Sequence, residues 1–512
     1  MKKLLLLITV LSTIMSAAQA QAPGIQWTKA LGGTNAEEAY SILQTADEGY
    51  ILVGNTKSYD GDIIGNHGGY SDAWVVKLSN SGDLEWQKTL GGSAEDGIYS
   101  IQQTTDGGYI VAGYTTSNDG DVIGNHGQFD AWVVKLSSSG AIEWQRAFGG
   151  TADEWISSIQ QTTDGGYVFA GYSWSISGDI PTYIGNTAAW VVKISAAGII
   201  EWQKALGGVA GDRLYNIRQT ADGGYVTVGY TNSVHADGSA AYGDFDCCVT
   251  KLSPTGTIVW KKGFGGTADD YAYDIQQTSD NGYIVAGSTE SNDFQVSGNH
   301  GYEDIWIFKI SDTGALQWQK TFGGTDHDRP YSIQKITEGN YIFAGQTWSA
   351  DGDISLNHGA QDGWIVEISD SADIIWQKTV GGYSMDILQS IQPTADGSCV
   401  AVGYAASLDG DVAGNHGSFD SWVVKLDPKL ATETFNNQAF RLFPNPANQF
   451  LNIQNPNNEF IEKITVSDLT GKILIEQSGN LSEIDVLFLP QGMYFIQILS
   501  QGKTTTQKFI KD

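Results

Sequence analysis

Along most of the chain, apolar and polar positions follow a strand-like rhythm rather than a helical one. In residues 97–150, the segments GIYSIQQ and YIVAGYT flank Thr-Thr-Asp-Gly-Gly, and AWVVKLS, a Ser-Ser-Gly turn and IEWQRAF follow. Tyr, Ile, Val and Trp dominate these runs, as suits a pleated, half-buried surface. Asp-Gly between two of them is a hairpin signal. No stretch keeps a 3.6-residue apolar period long enough for a helix. The pattern predicts four antiparallel strands of about seven residues per unit.

The unit recurs. Trp27, Trp86, Trp144, Trp202, Trp260, Trp318 and Trp376 are separated by 59 residues and then by 58 five times, and Gly-Gly follows each, as in EWQKTLGG. A second column, Trp74, Trp132, Trp190, Trp306, Trp364 and Trp422, is interrupted only where Cys248 stands. Seven such repeats predict an all-β chain with a seven-bladed β-propeller over residues 21–430. The seventh repeat stops after its third strand, WVVKLDP, while a spare fourth strand, GIQWTKALGG, lies near the N-terminus. Residues 24–31 are therefore expected to complete the last blade and close the ring, which removes an exposed sheet edge. Of 16 tryptophans, 13 occupy the two columns, where they are expected to fill blade interfaces. Trp155, Trp174 and Trp348 stand outside them.

Alternating strand directions put the loop between the second and third strands on the same face as the connection between blades. That long loop carries a repeated segment: DGDIIGNHG from Asp60, DGDVIGNHG from Asp119, DGDISLNHG from Asp351 and DGDVAGNHG from Asp409. Its oxygen donors are Asp60, Asp62 and Asn66; Asp119, Asp121 and Asn125; Asp351, Asp353 and Asn357; and Asp409, Asp411 and Asn415. Oxygens at positions one, three and seven suit a hard cation, so these residues are candidate Ca²⁺ ligands, although the third acidic position and the closing glutamate of an EF-hand loop are absent. The same residues also form tight turns without any ion. The histidines come one per blade, too far apart to share zinc. The blade connections add an acidic column, Glu37, Asp96, Glu154, Asp212, Asp270, Asp328 and Asp386, expected to ring the channel mouth or to cap its turns.

Repeats 6, 7, 1 and 2 keep the loop motif, and in a closed ring they are consecutive, so one arc of the face should be uniform and the other variable. On the variable arc, Trp155, Trp174 and Tyr183 are candidate ligand contacts, as is Trp348 at the repeat position of Trp174. Asp96 and Asp386 are the acidic-column residues assigned to a ligand or, on an enzymatic reading, to hydrolysis. Residues 21–430 hold 20 basic and 50 acidic side chains, nearly the whole net charge of −30, which disfavours nucleic acid and anionic membrane as partners. Cys247 and Cys248 are adjacent and Cys399 is distant, so no disulfide framework is expected. The propeller is expected to be a monomer.

The ends set the cellular address. MKKLLLLITVLSTIMSAAQA has the layout of a secretory signal over residues 1–20, and no later apolar run is long enough to span a membrane. After a linker at 431–439, residues 440–512 form short alternating strands expected to build a small β-sandwich. Pro444-Asn445-Pro446, Asp468 with Gly471-Lys472, Leu489 through Gly492-Met493-Tyr494, and Lys508-Phe509-Ile510 closely resemble the type A C-terminal sorting domain of the type IX secretion system of Bacteroidetes. The resemblance implies Sec-type export to the periplasm, handling by the type IX machinery, and release or attachment to lipopolysaccharide at the outer-membrane surface. The repeats, with W-Q-K-x-x-G-G and D-G-G-Y-I-x-x-G signatures, resemble surface propellers of the same bacteria, some labelled endoglucanase-like. No G-x-S-x-G segment, metal-binding His pair or phosphate loop accompanies them. The expected function is a non-enzymatic surface module for a glycan or protein. A polysaccharide hydrolase acting at the channel mouth is the alternative.

Overall fold

The computed structural model describes residues 20–428, apart from 181–186, 209, 234–241 and 338, and residues 440–512, apart from 455–459, 470, 480 and 501–502. Residues 1–19, the linker and Tyr183 therefore lie outside the described residues. The chain divides into two compact units, Met1–Pro428 and Lys429–Asp512.

The first unit is a β-propeller of seven four-stranded antiparallel sheets. Blade 1 is typical: Glu37–Gln44, Tyr50–Thr56, Asp72–Leu78 and Leu84–Leu90 pair in that order. Six blades use consecutive strands, whereas the seventh combines Asp386–Pro393, Cys399–Ala405 and Asp420–Leu426 with Ile25–Leu31 from the other end of the chain. The closing strand runs antiparallel to its partner from Ile25 opposite Leu426 to Leu31 opposite Ser421. On the opposite face, the Ala395 amide of blade 7 donates to Gln44 Oε1 of blade 1 at 2.8 Å.

Both tryptophan columns pack blades together. The third-strand indoles are 0–1% exposed, and each such burial contributes roughly 4 kcal/mol before conformational entropy is subtracted. Their Nε1 groups donate to a fourth-strand glutamine where it is present, as Trp74 does to Gln87 Oε1 at 2.8 Å. The outer column leans on a tyrosine of the following blade where one is present, as Trp27 does edge-on to Tyr50 at 5.7 Å between centroids. Blade 4 replaces both partners: Cys248 is buried where the indole would be, and Lys261 stands in the glutamine position with Nζ 3.9 Å from Asp212.

The second unit has a three-stranded and a four-stranded sheet around a core that includes Leu451, Ile464, Ile496 and Phe509. Its motif residues are structural. Asn445 Oδ1 accepts from the Ile510 amide at 2.9 Å. Asp468 Oδ1 accepts from the Lys472 amide at 3.1 Å across a turn in which Gly471 has φ of 82°.

Deleting residues 21–31 should lower the propeller's thermal midpoint by about 10 °C or more, because the whole ring loses its closing strand. Calorimetry on the truncated chain checks this. An unchanged midpoint would show that closure does not need this strand.

Candidate binding site at the channel mouth

The long loops and the blade connections do meet on one face. In blade 1, Asp60 Oδ1 accepts from the Thr34 amide at 2.8 Å and Asp62 Oδ2 from the Gly32 amide at 3.1 Å. Asn66 ties the loop to itself, with Nδ2 donating to the Ser58 carbonyl and Oδ1 accepting from the Gly68 amide, both at 2.9 Å. The other copies repeat this scheme. Asp119, Asp351 and Asp409 accept from the amides of Ser93, Thr325 and Tyr383 at 2.7–2.8 Å. Asp353 and Asp411 reach the amides of Gly323 and Gly381 at 3.3 and 3.4 Å, while Asp121 Oδ2 is buried without a hydrogen bond, 3.9 Å from His67 Nε2 of the preceding blade. Asn125, Asn357 and Asn415 donate to the carbonyls of Thr115, Ser349 and Ala405 at 2.9–3.3 Å. These side chains hold the loop against the blade connection. Among the described residues, no group of three His, Cys, Asp or Glu side chains is arranged to hold a metal ion.

The glycines make the close approach possible. Gly120 takes the left-handed conformation, φ 62°, and a Cβ on Gly92 would lie 2.5 Å from the Asp119 carbonyl oxygen. The histidines fix the loop's far end. His126 Nδ1 contacts Asp130 Oδ2 at 2.7 Å, and the equivalents at His67, His300, His358 and His416 do the same to Asp72, Asp304, Asp362 and Asp420 at 2.6–2.8 Å. Because a carboxylate accepts, Nδ1 carries the proton.

Of the two readings of the acidic column, the ring of carboxylates at the channel mouth is corrected and the capping of turn amides stands. Asp96 and Asp386 are 0% exposed, as are Glu37, Glu154, Asp270 and Asp328, so they do not ring an open channel mouth. Asp96 Oδ2 accepts from the Gly92 amide at 2.8 Å and Ser117 Oγ at 2.7 Å, and Oδ1 accepts from Thr115 Oγ1. Asp386 Oδ2 accepts from the Gly382 amide at 2.8 Å and Ser407 Oγ at 2.6 Å. The reason is strand parity. The acid is the first residue of the innermost strand and points into the blade junction, whereas the next residue lies on the strand's other face, where Trp155 and Arg213 line the central cavity.

That next column varies around the ring, with only arginine recurring: Glu38, Gly97, Trp155, Arg213, Tyr271, Arg329 and Ile387. Two residues further on, Tyr40, Tyr99, Tyr215, Tyr273 and Tyr331 line a central cavity of about 500 Å³, with Ser157 at the same position in blade 3 and Gln389 in blade 7. Sequence reasoning missed both columns. Their signal was a fixed tyrosine beside a freely varying neighbour inside an otherwise repeated frame.

On the variable arc the structure brings together Trp155, Trp174 and two residues not anticipated, Tyr172 and Arg213. Trp155 is half-buried, stacked on Phe129 at 5.1 Å, Tyr99 at 5.9 Å and Tyr172 at 6.2 Å. Arg213 Cζ lies 4.2 Å from the Tyr172 ring centroid and 6.0 Å from that of Trp174. Burial pushes the Tyr172 hydroxyl up to about 12 against the downward pull of Arg213. Trp174 is 42% exposed and donates through Nε1 to Thr187 Oγ1 at 2.6 Å. Trp348 is 44% exposed but sits in blade 6, edge-on to His327 at 6.2 Å, and does not join the cluster.

Residues 441–512 match the family described as Secretion system C-terminal sorting domain. No match to the chain was found among curated proteins. Similar solved structures include the WD40 domain of Neurospora crassa Pan2, 10% identical over 78% of this chain and 96% of that chain with a TM-score of 0.43. Another is Sqt1 from Chaetomium thermophilum, 11% identical over 80% and 100% of the two chains with a TM-score of 0.41. PorZ of Porphyromonas gingivalis, described as an essential bacterial surface component of the type IX secretion system, is 11% identical over 93% and 81% with a TM-score of 0.23. The chain is thus a β-propeller protein with a C-terminal sorting domain. That domain indicates type IX export to the cell surface or secretion, and no helix among the described residues is long and apolar enough to cross a membrane.

Two outcomes test the blade junctions. Gly92→Ala should cost about 1–3 kcal/mol in denaturant unfolding, because its Cβ would push the long loop off the junction. Burial raises the carboxyls of Asp72 and Asp328 to about 6 and that of Asp270 to about 7. A raised folded-state value means the fold binds the proton more tightly than the unfolded chain does, so this stability is complete below pH ~4 and is lost as pH rises through 6–7. The thermal midpoint should fall by several degrees between pH 5 and pH 8, and Asp270→Asn should flatten that fall. Repulsion among surface charges would leave the slope of the variant unchanged.

Proposed function

We propose that the protein is a non-enzymatic surface module that takes a glycan at the mouth of its channel. The observation that carries this reading is the grouping of exposed Trp174, Tyr172 and Arg213 at the entrance of a cavity walled by tyrosines, serines and glutamines. Aromatic faces suit the apolar faces of pyranose rings, and amide and hydroxyl side chains both donate to and accept from sugar hydroxyls. Export to the cell surface gives such a site access to extracellular polymer. The carboxylates nominated for hydrolysis, Asp96 and Asp386, are instead buried acceptors of blade-junction hydrogen bonds, which favours binding over cleavage.

A glycan array probed with the chain from residue 21, with and without EDTA, followed by product analysis of the bound sugars, tests this. The expected outcome is retained, uncleaved glycan, with binding that survives the chelator because the loop carboxylates already serve backbone amides. Progressive shortening of the glycan, abolished by Asp96→Asn or Asp386→Asn, would establish the hydrolase instead. Retention of protein ligands alone would identify a protein-binding module. Loss of glycan binding in EDTA, restored by Ca²⁺, would return calcium to the loops.

A further inference from the structure

Two arginines, Arg213 and Arg218, line the central cavity, a third, Arg329, holds the strand position of Arg213 in blade 6, and the pairing of the three differs. Arg329 is gripped by Glu303, with Nε donating to Oε1 at 3.0 Å and Nη2 to Oε2 at 2.7 Å. Arg218 Nη2 lies 3.4 Å from Asp274 Oδ1. Arg213 makes no ion pair or hydrogen bond through its guanidinium among the described residues, and only the faces of Tyr172 and Trp174 hold it. In a chain of net charge −30, an unpaired arginine fixed at a cavity entrance is a selective feature. Stacking on an aromatic face leaves the guanidinium edge, with its N–H donors, free for a planar acceptor.

We infer that Arg213 forms a carboxylate subsite, so that the preferred glycan carries a uronic acid residue at the channel mouth. This rests on the glycan reading above and specifies it. Trp174, 42% exposed beside Arg213, offers the apolar platform for the ring whose carboxylate Arg213 receives. The innermost strand that carries Arg213, Asp212–Gln219, also leaves two polar atoms without hydrogen-bond partners among the described residues, Asn216 Oδ1 and Arg218 Nε, and both residues line the cavity. An unmet acceptor and an unmet donor on one strand match a polyhydroxyl ligand better than an apolar one. The surrounding charge limits the ligand to few carboxylates. Asp153, close enough to raise the Tyr172 hydroxyl electrostatically, sits on the same face, and the acidic propeller repels a dense polyanion. An oligosaccharide that is neutral apart from one terminal uronate satisfies both conditions.

Titration calorimetry on the chain from residue 21 tests the inference with a glucuronate-terminated oligosaccharide and its carboxyl-reduced counterpart. The uronate should bind at least tenfold more tightly. Arg213→Met should erase that preference, binding both sugars with the affinity the reduced sugar has for the unsubstituted protein. Equal affinity of the unsubstituted protein for the two sugars overturns the uronate subsite while leaving glycan binding standing, and this comparison needs no variant to fold. A preference that survives Arg213→Met also overturns it. Tighter, Arg213-dependent binding of a peptide α-carboxylate would assign the subsite to a protein terminus and overturn the uronate. Absence of binding to any glycan would defeat the parent reading as well.

Discussion

The structure depends on one repeated interaction, a buried carboxylate that gathers the backbone at each blade junction. Asp96 accepts from the blade connection through the Gly92 amide, from the second strand through Thr115, and from the start of the long loop through Ser117. A single side chain thus ties the blade connection, four residues before it, to the end of the second strand and the start of the long loop, 19 and 21 residues after it. Burying an ion without partners is severely unfavourable, so the carboxylate, its hydroxyl donors and the tight glycine connection form a set in which no member works alone. The Gly-Gly after each WQK strand belongs to the set, because the long loop descends to where a Cβ would be. The DGD segment is the outer half of the same clamp.

That constraint also explains where the structure is free to vary. The junction uses the odd face of the innermost strand, so its residues repeat blade after blade, while the even face opens on the channel and changes from Glu38 to Gly97 to Trp155 to Arg213. Blade 4 departs furthest, exchanging the indole–glutamine pair for Cys248 and Lys261, with Lys261 reaching Asp212. The frame therefore stays closed while one arc of the mouth acquires aromatic and cationic side chains. A rigid ring presenting a variable lining is a suitable platform for a site, since the strands hold the lining residues at fixed spacing.

The fold was almost fully legible in the sequence because its determinants are periodic. Trp-to-Trp spacing counted the blades, and a missing strand at one end with a spare at the other revealed the closure between Ile25–Leu31 and Asp420–Leu426. The site was legible only in part. Trp155 and Trp174 stood out by leaving the tryptophan columns, but Tyr172 and Arg213 looked like ordinary strand residues until parity was assigned. A shift of one position reverses the face a strand residue presents, and the sequence marked the acidic column more loudly than the variable column beside it. Repetition marks what the frame requires, so the residues that distinguish this propeller lie where repetition fails.

Closure has a kinetic corollary. Ile25 pairs with Leu426, so the last ladder cannot form until nearly the whole propeller segment is available. Blades 1 to 6 close locally, each from consecutive strands, whereas the seventh pays the loop-closure entropy of the entire ring. Until that strand pairs, the third strand of blade 7, Asp420–Leu426, presents an unpaired edge able to capture another chain. The Ala395–Gln44 hydrogen bond and the Trp27–Tyr50 contact join blades 7 and 1 from both sides of the seam, so the ring that closes last is reinforced by the same glutamine and aromatic pairing as the other junctions.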